Sequence, residues 1–485
     1  MAKFGNKLEA LIARNGGAKY RFSKEVGIDR VTLYRFINGE RLPGKDVLDR
    51  ICLALRVSPA EENDLRKLYD RAKIGEDVYE RRLLVKELIN HINSLRLEQS
   101  PPFSHKAVRV GGIGDLVKAV SGSYNVNMLV RDVLDDLAYN AQEKRLWTNT
   151  PFEYTFLFAH LRQLYFEMNG SIAIEHAVAF ARDAGAHRNP NINLETLANI
   201  LPFVFCEGSG YQPGYYYSDC MNFDSVFMPY YLFTEKRLLM FSPDYKTAML
   251  VNDPDAVNAC RAEFQALRTT PLFRNVNTTV EILGVYQNIF VHSKKTEAIG
   301  IEAQPCLTSY FTERIMESVI LNELPDRAAF MQALANHVNS AKALNMHSFF
   351  TIGGLDDFCE SGYIMYSPPQ IAMPIETADR LFILKSFRDD VAAGKNNSLV
   401  INSSEISVSL NTTVQIYTDS LLLITIANES GMKMCIIDEP SIYEVFSDFL
   451  KTLYDSEWVY SKQETLEILD KYIGNLEAQP TEDTA

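Results

Sequence analysis

The sequence predicts a multidomain chain: an all-α head with a helix-turn-helix over residues 1–70, followed by a duplicated α/β (α+β) body. Three observations predict this. Gly27 divides two short helical patterns of apolar residues. The chain is basic at its start and acidic over the rest of its length. Two later stretches, one from Tyr231 and one from Gln415, follow the same order of strand, turn, strand, strand and helix. A chain of 485 residues is also too long for one hydrophobic core.

In the head, Phe22 and Val26 lie four apart before Gly27, and Ile28, Leu33, Phe36 and Ile37 form an apolar set after it. Two helices joined by a short turn holding Gly are the helix-turn-helix signature. Asp29 is placed to cap the second helix, because its carboxylate can accept from the first-turn N–H groups. In this motif the second helix enters a DNA major groove and the first crosses the backbone. Arg30, Val31, Thr32, Tyr34, Arg35 and Asn38 are therefore the base-reading candidates. Arg pairs bidentately with guanine, Asn pairs with adenine, and Thr or Val methyls lie on the thymine methyl. Arg30, Val31 and Thr32 are the foremost, being nearest the helix start. Lys19, Lys24, Arg41 and Lys45 flank the helix and suit phosphate.

Ser23, Gly27, Thr32, Arg35, Gly39 and Pro43 stand at spacings that resemble the Cro/repressor-type (Xre) helix-turn-helix family. The likeness continues through Val47 to Leu55, the family's next helix, and Ser58-Pro59 with Glu61 and Glu62 reads as another helix start. Family members often begin the first motif helix with Ser-Gln, the Gln touching the DNA backbone. Here those positions are Ala18 and Lys19. The resemblance covers about the first 70 residues and implies a transcription regulator, repressor included.

Charge agrees with this. Residues 1–56 hold 12 Lys/Arg against 6 Asp/Glu, whereas the whole chain holds 48 against 62, a net charge of −14. Attraction to phosphate is thereby confined to the head. The acidic remainder repels nucleic acid and anionic membranes. No basic, apolar leader opens the sequence and no run approaches membrane-spanning length, so a cytoplasmic chain with no membrane partner is expected. The seven cysteines are scattered and form no Cys-x-x-Cys, which argues against a disulfide framework or zinc knuckle.

Residues 71–102 read as a helical linker. Val78, Val85 and Ile92 recur every seven, with Leu88 and Leu95 between them and Arg81 breaking the seam. This is either a dimerisation helix or a helix docked on the body. Gln99-Ser-Pro-Pro then reads as a flexible connection.

The body is expected as two α/β halves, residues 103–275 and 276–474. Gly111-Gly112-Ile113-Gly114 lacks the spacing of a dinucleotide loop and reads as a tight turn before a helix. Arg145 to Thr148 reads as a strand, 152–168 as a helix and 171–180 as a strand or a strand running into a helix, in which His176 is a satisfied interior histidine. Tyr215, Tyr216 and Tyr217 stand among Gly and Pro on an expected loop or hairpin. They are candidates for a ligand pocket or an interface between domains. Gly353 and Gly354 suggest a turn. His337 and His347 lack a carboxylate constellation for a metal, and Asp356, Asp357 and Glu360 read as a solvated face. Residues 475–485 are expected to be a disordered tail.

The internal repeat runs from Thr234 to Pro254 and again from Thr418 to Pro440, each ending in an acidic-Pro helix start. This ending resembles the closing strand and helix of phospholipase D-like domains, which are also duplicated. Some transcription regulators use such domains as non-catalytic effector sensors. That family's chemistry needs His-x-Lys and a following Asp in each half. His292-Ser-Lys294 matches the start, but Ile299 stands where Asp is required, and there is no second copy. The resemblance thus implies a catalytically degenerate sensor.

The expected function is a one-component, sequence-specific transcription regulator that binds a double-stranded operator as a homodimer. Its body would sense a small-molecule or peptide effector or assemble the oligomer. No cofactor, metal or enzymatic activity is expected. The alternative is an effector enzyme or toxin-like protein with activity in the body and DNA targeting by the head.

Overall fold

The computed structural model describes every residue except 15–17, 95–113, 183–188, 190, 207, 209, 219–226, 293–296, 365–368, 418–420, 429–430 and 479–485. The chain divides into two compact units, Met1–Leu84 and Val85–Ala485.

The first unit is helical: α1 (Ala2–Arg14), α2 (Lys19–Val26), α3 (Arg30–Ile37), α4 (Lys45–Leu55) and α5 (Pro59–Ile74), with the start of α6 (Glu76–Ser94). Each helix turns an apolar face inward at helical spacing. Phe4, Leu8, Val26, Leu33, Ile51 and Leu65 meet in one core and are at most 1% exposed. Burying such a side chain contributes about 1.5–3 kcal/mol. α1 lies so close to the end of α3 that a Cβ on Gly5 would stand 2.0 Å from the Ile37 carbonyl oxygen. α5 opens on a reciprocal cap: Ser58 accepts from the Glu61 N–H, and Glu61 accepts from the Ser58 N–H.

The second unit holds two sheets built on one plan. Its first strands are β1 (Val117–Ser121), β2 (Arg145–Thr148), β3 (Ala173–Phe180), β4 (Tyr211–Tyr217), β5 (Tyr230–Phe233), β6 (Leu238–Phe241) and β7 (Thr247–Val251), with a short β8 (Thr270–Pro271). They lie in the order β1-β7-β6-β5-β2-β3-β4-β8. The later strands are β9 (Arg274–Val276), β10 (Glu297–Glu302), β11 (Asn345–Phe350), β12 (Leu399–Val400), β13 (Thr412–Tyr417), β14 (Leu421–Asn428) and β15 (Gly431–Ile437). Read from its far edge, that sheet runs β9-β15-β14-β13-β10-β11-β12.

Apart from β8, which has no counterpart, the two orders superimpose strand for strand, and so do the directions. β2, β3 and β4 are parallel, as are β10, β11 and β12. The hairpin strands β5 to β7 and β13 to β15 run antiparallel and are closed at the edge by β1 and β9. Helices cross between the parallel strands, as such pairs require. In the first half these are α8 (Thr155–Glu167) and α9 (Ile192–Val204), while α7 (Ser123–Tyr139) joins β1 to β2. In the second they are α12 (Glu313–Val319), α13 (Arg327–Ala343), α14 (Ile352–Ser361) and α15 (Thr377–Ala393), while α11 (Thr279–His292) joins β9 to β10. Each hairpin series leads into a Pro-started helix, α10 (Pro254–Ala266) or α16 (Pro440–Thr452), capped by Asp253 or Glu439. The body is thus a duplicated α/β unit, with α17 (Lys462–Glu477) added at the end.

Several expectations need correction. Of the seam expected for a dimerisation helix or a docked helix, Val85, Leu88 and Ile92 are covered within one chain, Val78 is half-buried, and Leu95 lies outside the described residues. Val85, Leu88 and Ile92 on α6 are 0%, 4% and 1% exposed. The same stretch docks on the body through Lys86, whose Nζ donates to Glu405 Oε2 at 2.8 Å, and Asn90, which accepts from the Ser407 N–H at 3.0 Å. Gly114 leads into strand β1 rather than a helix, and Gly111 to Ile113 lie outside the described residues. β9 spans residue 275, where the division between halves was placed, and pairs with β15 of the second sheet. α17 runs to Glu477, inside the expected tail, and residues 479–485 lie outside the described residues, as do Gln99–Pro102. Gly353 and Gly354 lie in the first turn of α14. Asp356 and Asp357 on the same helix are half-buried and accept from the Tyr472 hydroxyl and Gln304 Nε2, so they are no solvated face.

Candidate nucleic-acid interface

The turn between α2 and α3 is fixed by Gly27, which takes the left-handed conformation, φ 74° and ψ 37°. Its N–H bonds the Lys24 carbonyl and the Ile28 N–H bonds the Ser23 carbonyl at 2.9 Å. These two bonds close the end of α2 as a Schellman motif, which favours Gly at this position. Ser23, 2% exposed, donates its hydroxyl to the Tyr20 carbonyl at 2.9 Å and so stays satisfied inside.

Asp29 caps α3. Its Oδ1 accepts from the Thr32 N–H at 2.9 Å and its Oδ2 from the Thr32 hydroxyl at 2.5 Å. These bonds hold the Asp29 carboxyl below its ordinary pKa. The helix then turns Leu33, Phe36 and Ile37 into the core. Val31, Arg35 and Asn38 follow one another on the outer face at helical spacing and are exposed.

The base-reading candidates are therefore unequal. Arg30, Val31, Arg35 and Asn38 stand in solvent, with Val31 61% exposed. Thr32 and Tyr34 are half-buried. The Thr32 hydroxyl is engaged by Asp29, leaving its methyl group as the part of the side chain outside that bond. Tyr34 lies between two cations: Lys19 Nζ is 5.1 Å and the Arg30 guanidinium 5.4 Å from its ring. Arg30 donates to the Tyr34 hydroxyl at 3.5 Å and pulls its pKa down. Asn38 Nδ2 donates to Glu40 Oε1 at 3.1 Å.

The phosphate candidates also divide. Lys24 packs over the Tyr20 ring at 4.8 Å. Arg41 and Lys45 are exposed. Among the described residues, Lys24, Arg30, Arg35, Arg41 and Lys45 make no ion pair. Lys19 does: it is bonded to Glu9 of α1, which raises its pKa. Arg50 on α4 was not among the sequence candidates. A Cβ on Gly27 would meet its guanidinium nitrogen at 3.2 Å, which places this exposed cation beside the turn. Its distance along the chain hid it; only the packing of α4 on α2 brings it there.

Residues 7–62 match the family of Cro/C1-type HTH DNA-binding domains. The head carries a Cro/C1-type helix-turn-helix domain. That match spans the Gly27 turn, the Asp29 cap and Arg50. Comparison with curated proteins finds no match. Among solved structures, an archaeal chromatin protein, TrmBL2, is 13% identical over 44% of this chain and 72% of its own, with a TM-score of 0.21. A phosphatidylserine synthase from Haemophilus influenzae is 10% identical over 75% of this chain and 94% of its own, with a TM-score of 0.23. Both likenesses are distant. No helix among the described residues is long and apolar enough to cross a membrane, and no group of three or more His, Cys, Asp or Glu is arranged to hold a metal.

The three tyrosines lie far from the Cro/C1-type head in sequence and on a strand rather than a loop. β4 pairs with β3 along its whole length, so alternate side chains face opposite ways. Tyr215 and Tyr217 share a face with ring centroids 5.6 Å apart, and Tyr216 points to the other. Tyr217 donates to Glu439 Oε1 at 2.7 Å. Glu439 is 1% exposed and its Oε2 accepts from the Ile442 N–H and the Ser441 hydroxyl. Ser441 also accepts from Asn193 Nδ2 at 3.0 Å. Tyr217 thus contributes to the seam between the two halves of the body. His176 is an interior histidine: Thr150 O takes its Nε2 proton and the Tyr211 hydroxyl faces Nδ1, each at 2.9 Å. Burial lowers its pKa to about 4, so it stays neutral.

Proposed function

We propose that this chain is a sequence-specific transcription regulator whose duplicated body serves as a non-catalytic sensor or assembly platform. The observation that carries the reading is the outer face of α3: Arg30, Val31 and Arg35 exposed on a capped helix, with both guanidiniums free of ion pairs among the described residues. Such a face reads base edges, Arg on guanine and Val on the thymine methyl. Lys24, Arg41, Lys45 and Arg50 surround it and take the phosphates, which set register without reading sequence. Lys19 joins them on exchanging Glu9 for a phosphate oxygen. One reading helix covers a half-site, so the operator is read by two copies of the chain in a palindrome. The excess of 12 Lys/Arg over 6 Asp/Glu in residues 1–56, within a chain of net charge −14, supports nucleic-acid affinity in the head and suits a cytoplasmic protein.

In the sensor role, an effector acts by binding two arrangements of the chain with unequal affinity. Selection of bound fragments from a random duplex pool by the full chain tests the reading. A palindromic motif lost in Arg30→Ala and Arg35→Ala supports it. Enrichment of no motif contradicts it.

A further inference from the structure

The second half of the body holds a cavity of about 70 Å³ at the end of β10. Its polar lining comes from Tyr286 on α11, Glu302 and Gln304 at and after the end of β10, His337 on α13, and Gln415 and Tyr417 on β13. The space lies where β10 meets a parallel neighbour on one side and an antiparallel one on the other. Ends of strands at such changes of order are where open α/β sheets bind ligands.

Glu302 is the centre of the site. It is 4% exposed, and its two oxygens accept from Ser348 Oγ and from Gln415 Nε2, the latter at 3.4 Å. Both donors are neutral. The orientation of Gln415 is set from behind, because the Tyr286 and Tyr417 hydroxyls donate to its Oε1 at 3.0 and 3.4 Å. Among the described residues, no Lys or Arg lines the cavity. A buried carboxylate without a cation is costly to keep ionised, and burial raises its pKa to about 7.

We propose that this cavity is an effector site for the ammonium head of a small primary amine. Glu302 supplies the counter-charge in a space that the Tyr286 and Tyr417 side chains also line. One carboxylate is too few for a divalent metal, which takes several oxygen ligands. The volume admits the head and a short carbon stem. The inference rests on the reading of the body as a sensor.

Calorimetric titration of the full chain without DNA tests it, using n-propylamine and 1,4-diaminobutane as probes and n-propanol and propionate as uncharged and anionic controls. The expected result is saturable uptake of an amine and none of either control. Glu302→Gln is expected to weaken the amine about tenfold or more. Ala341→Leu, which fills the cavity from α13 and leaves the carboxylate in place, is expected to block it as well. No saturable amine binding, equal binding of propanol, or amine binding unchanged in both variants overturns the proposal. A chain that retards DNA but takes up no amine loses this inference alone. A chain that takes up amine but retards no DNA loses the regulator reading and keeps the site.

Discussion

The Asp29 carboxylate grips Thr32 twice, at the backbone N–H and at the side-chain hydroxyl, and so fixes where the reading helix starts. Removing the cap by Asp29→Ala is expected to cost about 1 kcal/mol of local stability. Amide exchange in α3 of the full chain checks this. Faster exchange confined to the head is expected, with the body unchanged. Thr32→Val keeps the backbone bond and is expected to cost less.

Arg35→Ala combined with Thr32→Ala is expected to abolish operator preference while the body stays folded. A good base contact contributes about 1–3 kcal/mol of discrimination. Lys45→Ala is expected to act differently. It weakens all duplexes alike and lowers the slope of log affinity against log salt by about 1. Fluorescence anisotropy over a salt series separates the two behaviours.

Leu88 on α6 is 4% exposed in a single chain. Leu88→Ala is therefore expected to destabilise the monomer by about 2–5 kcal/mol, as large-to-small core changes do. Light scattering with thermal melting checks it. A lowered melting temperature with unchanged oligomeric state is expected. Dissociation of a dimer without loss of melting temperature would restore α6 as a coiled-coil helix.

Glu302 gives the body a pH signature. Its pKa rises from 4.5 in the unfolded chain to about 7 in the folded one. Below pH 4.5 the group is protonated in both states and costs nothing. As pH rises to about 7, only the unfolded chain ionises freely, so stability falls, by roughly 3 kcal/mol in all. His337 facing the same cavity is pushed down to about 4 and, like the Tyr286 and Cys306 groups titrating far above, is common to wild type and variant. Melting curves of wild type and Glu302→Gln are expected to converge in acid and separate by neutrality. Curves parallel across this range would show that the carboxyl is not held in an apolar site.

The head was legible because its signals are local. Gly27, Asp29 and the apolar spacing around them act within one turn of helix, and the same holds for Asp253-Pro254 and Glu439-Pro440 at the starts of α10 and α16. The Thr234 turn was equally readable, its hydroxyl accepting from the N–H groups of Lys236 and Arg237. What stayed hidden depends on distant partners. β1 pairs with β7 more than a hundred residues later, and nothing near Val117 announces it. Tyr215 to Tyr217 sit beside Gly and Pro, yet pairing with β3 overrides that local preference. Glu302 ends an apolar strand, and its partners Ser348 and Gln415 come from two other strands. Arg50 reaches the turn only through the docking of α4.

Retardation of promoter fragments by the full chain at low ionic strength, repeated over a salt series, tests the account most directly. It predicts a discrete complex on a subset of fragments, weakening steeply with salt as several phosphate contacts are lost. A chain that retards no fragment at low salt, or retards all of them equally and still does so after Arg30→Ala and Arg35→Ala, would contradict it.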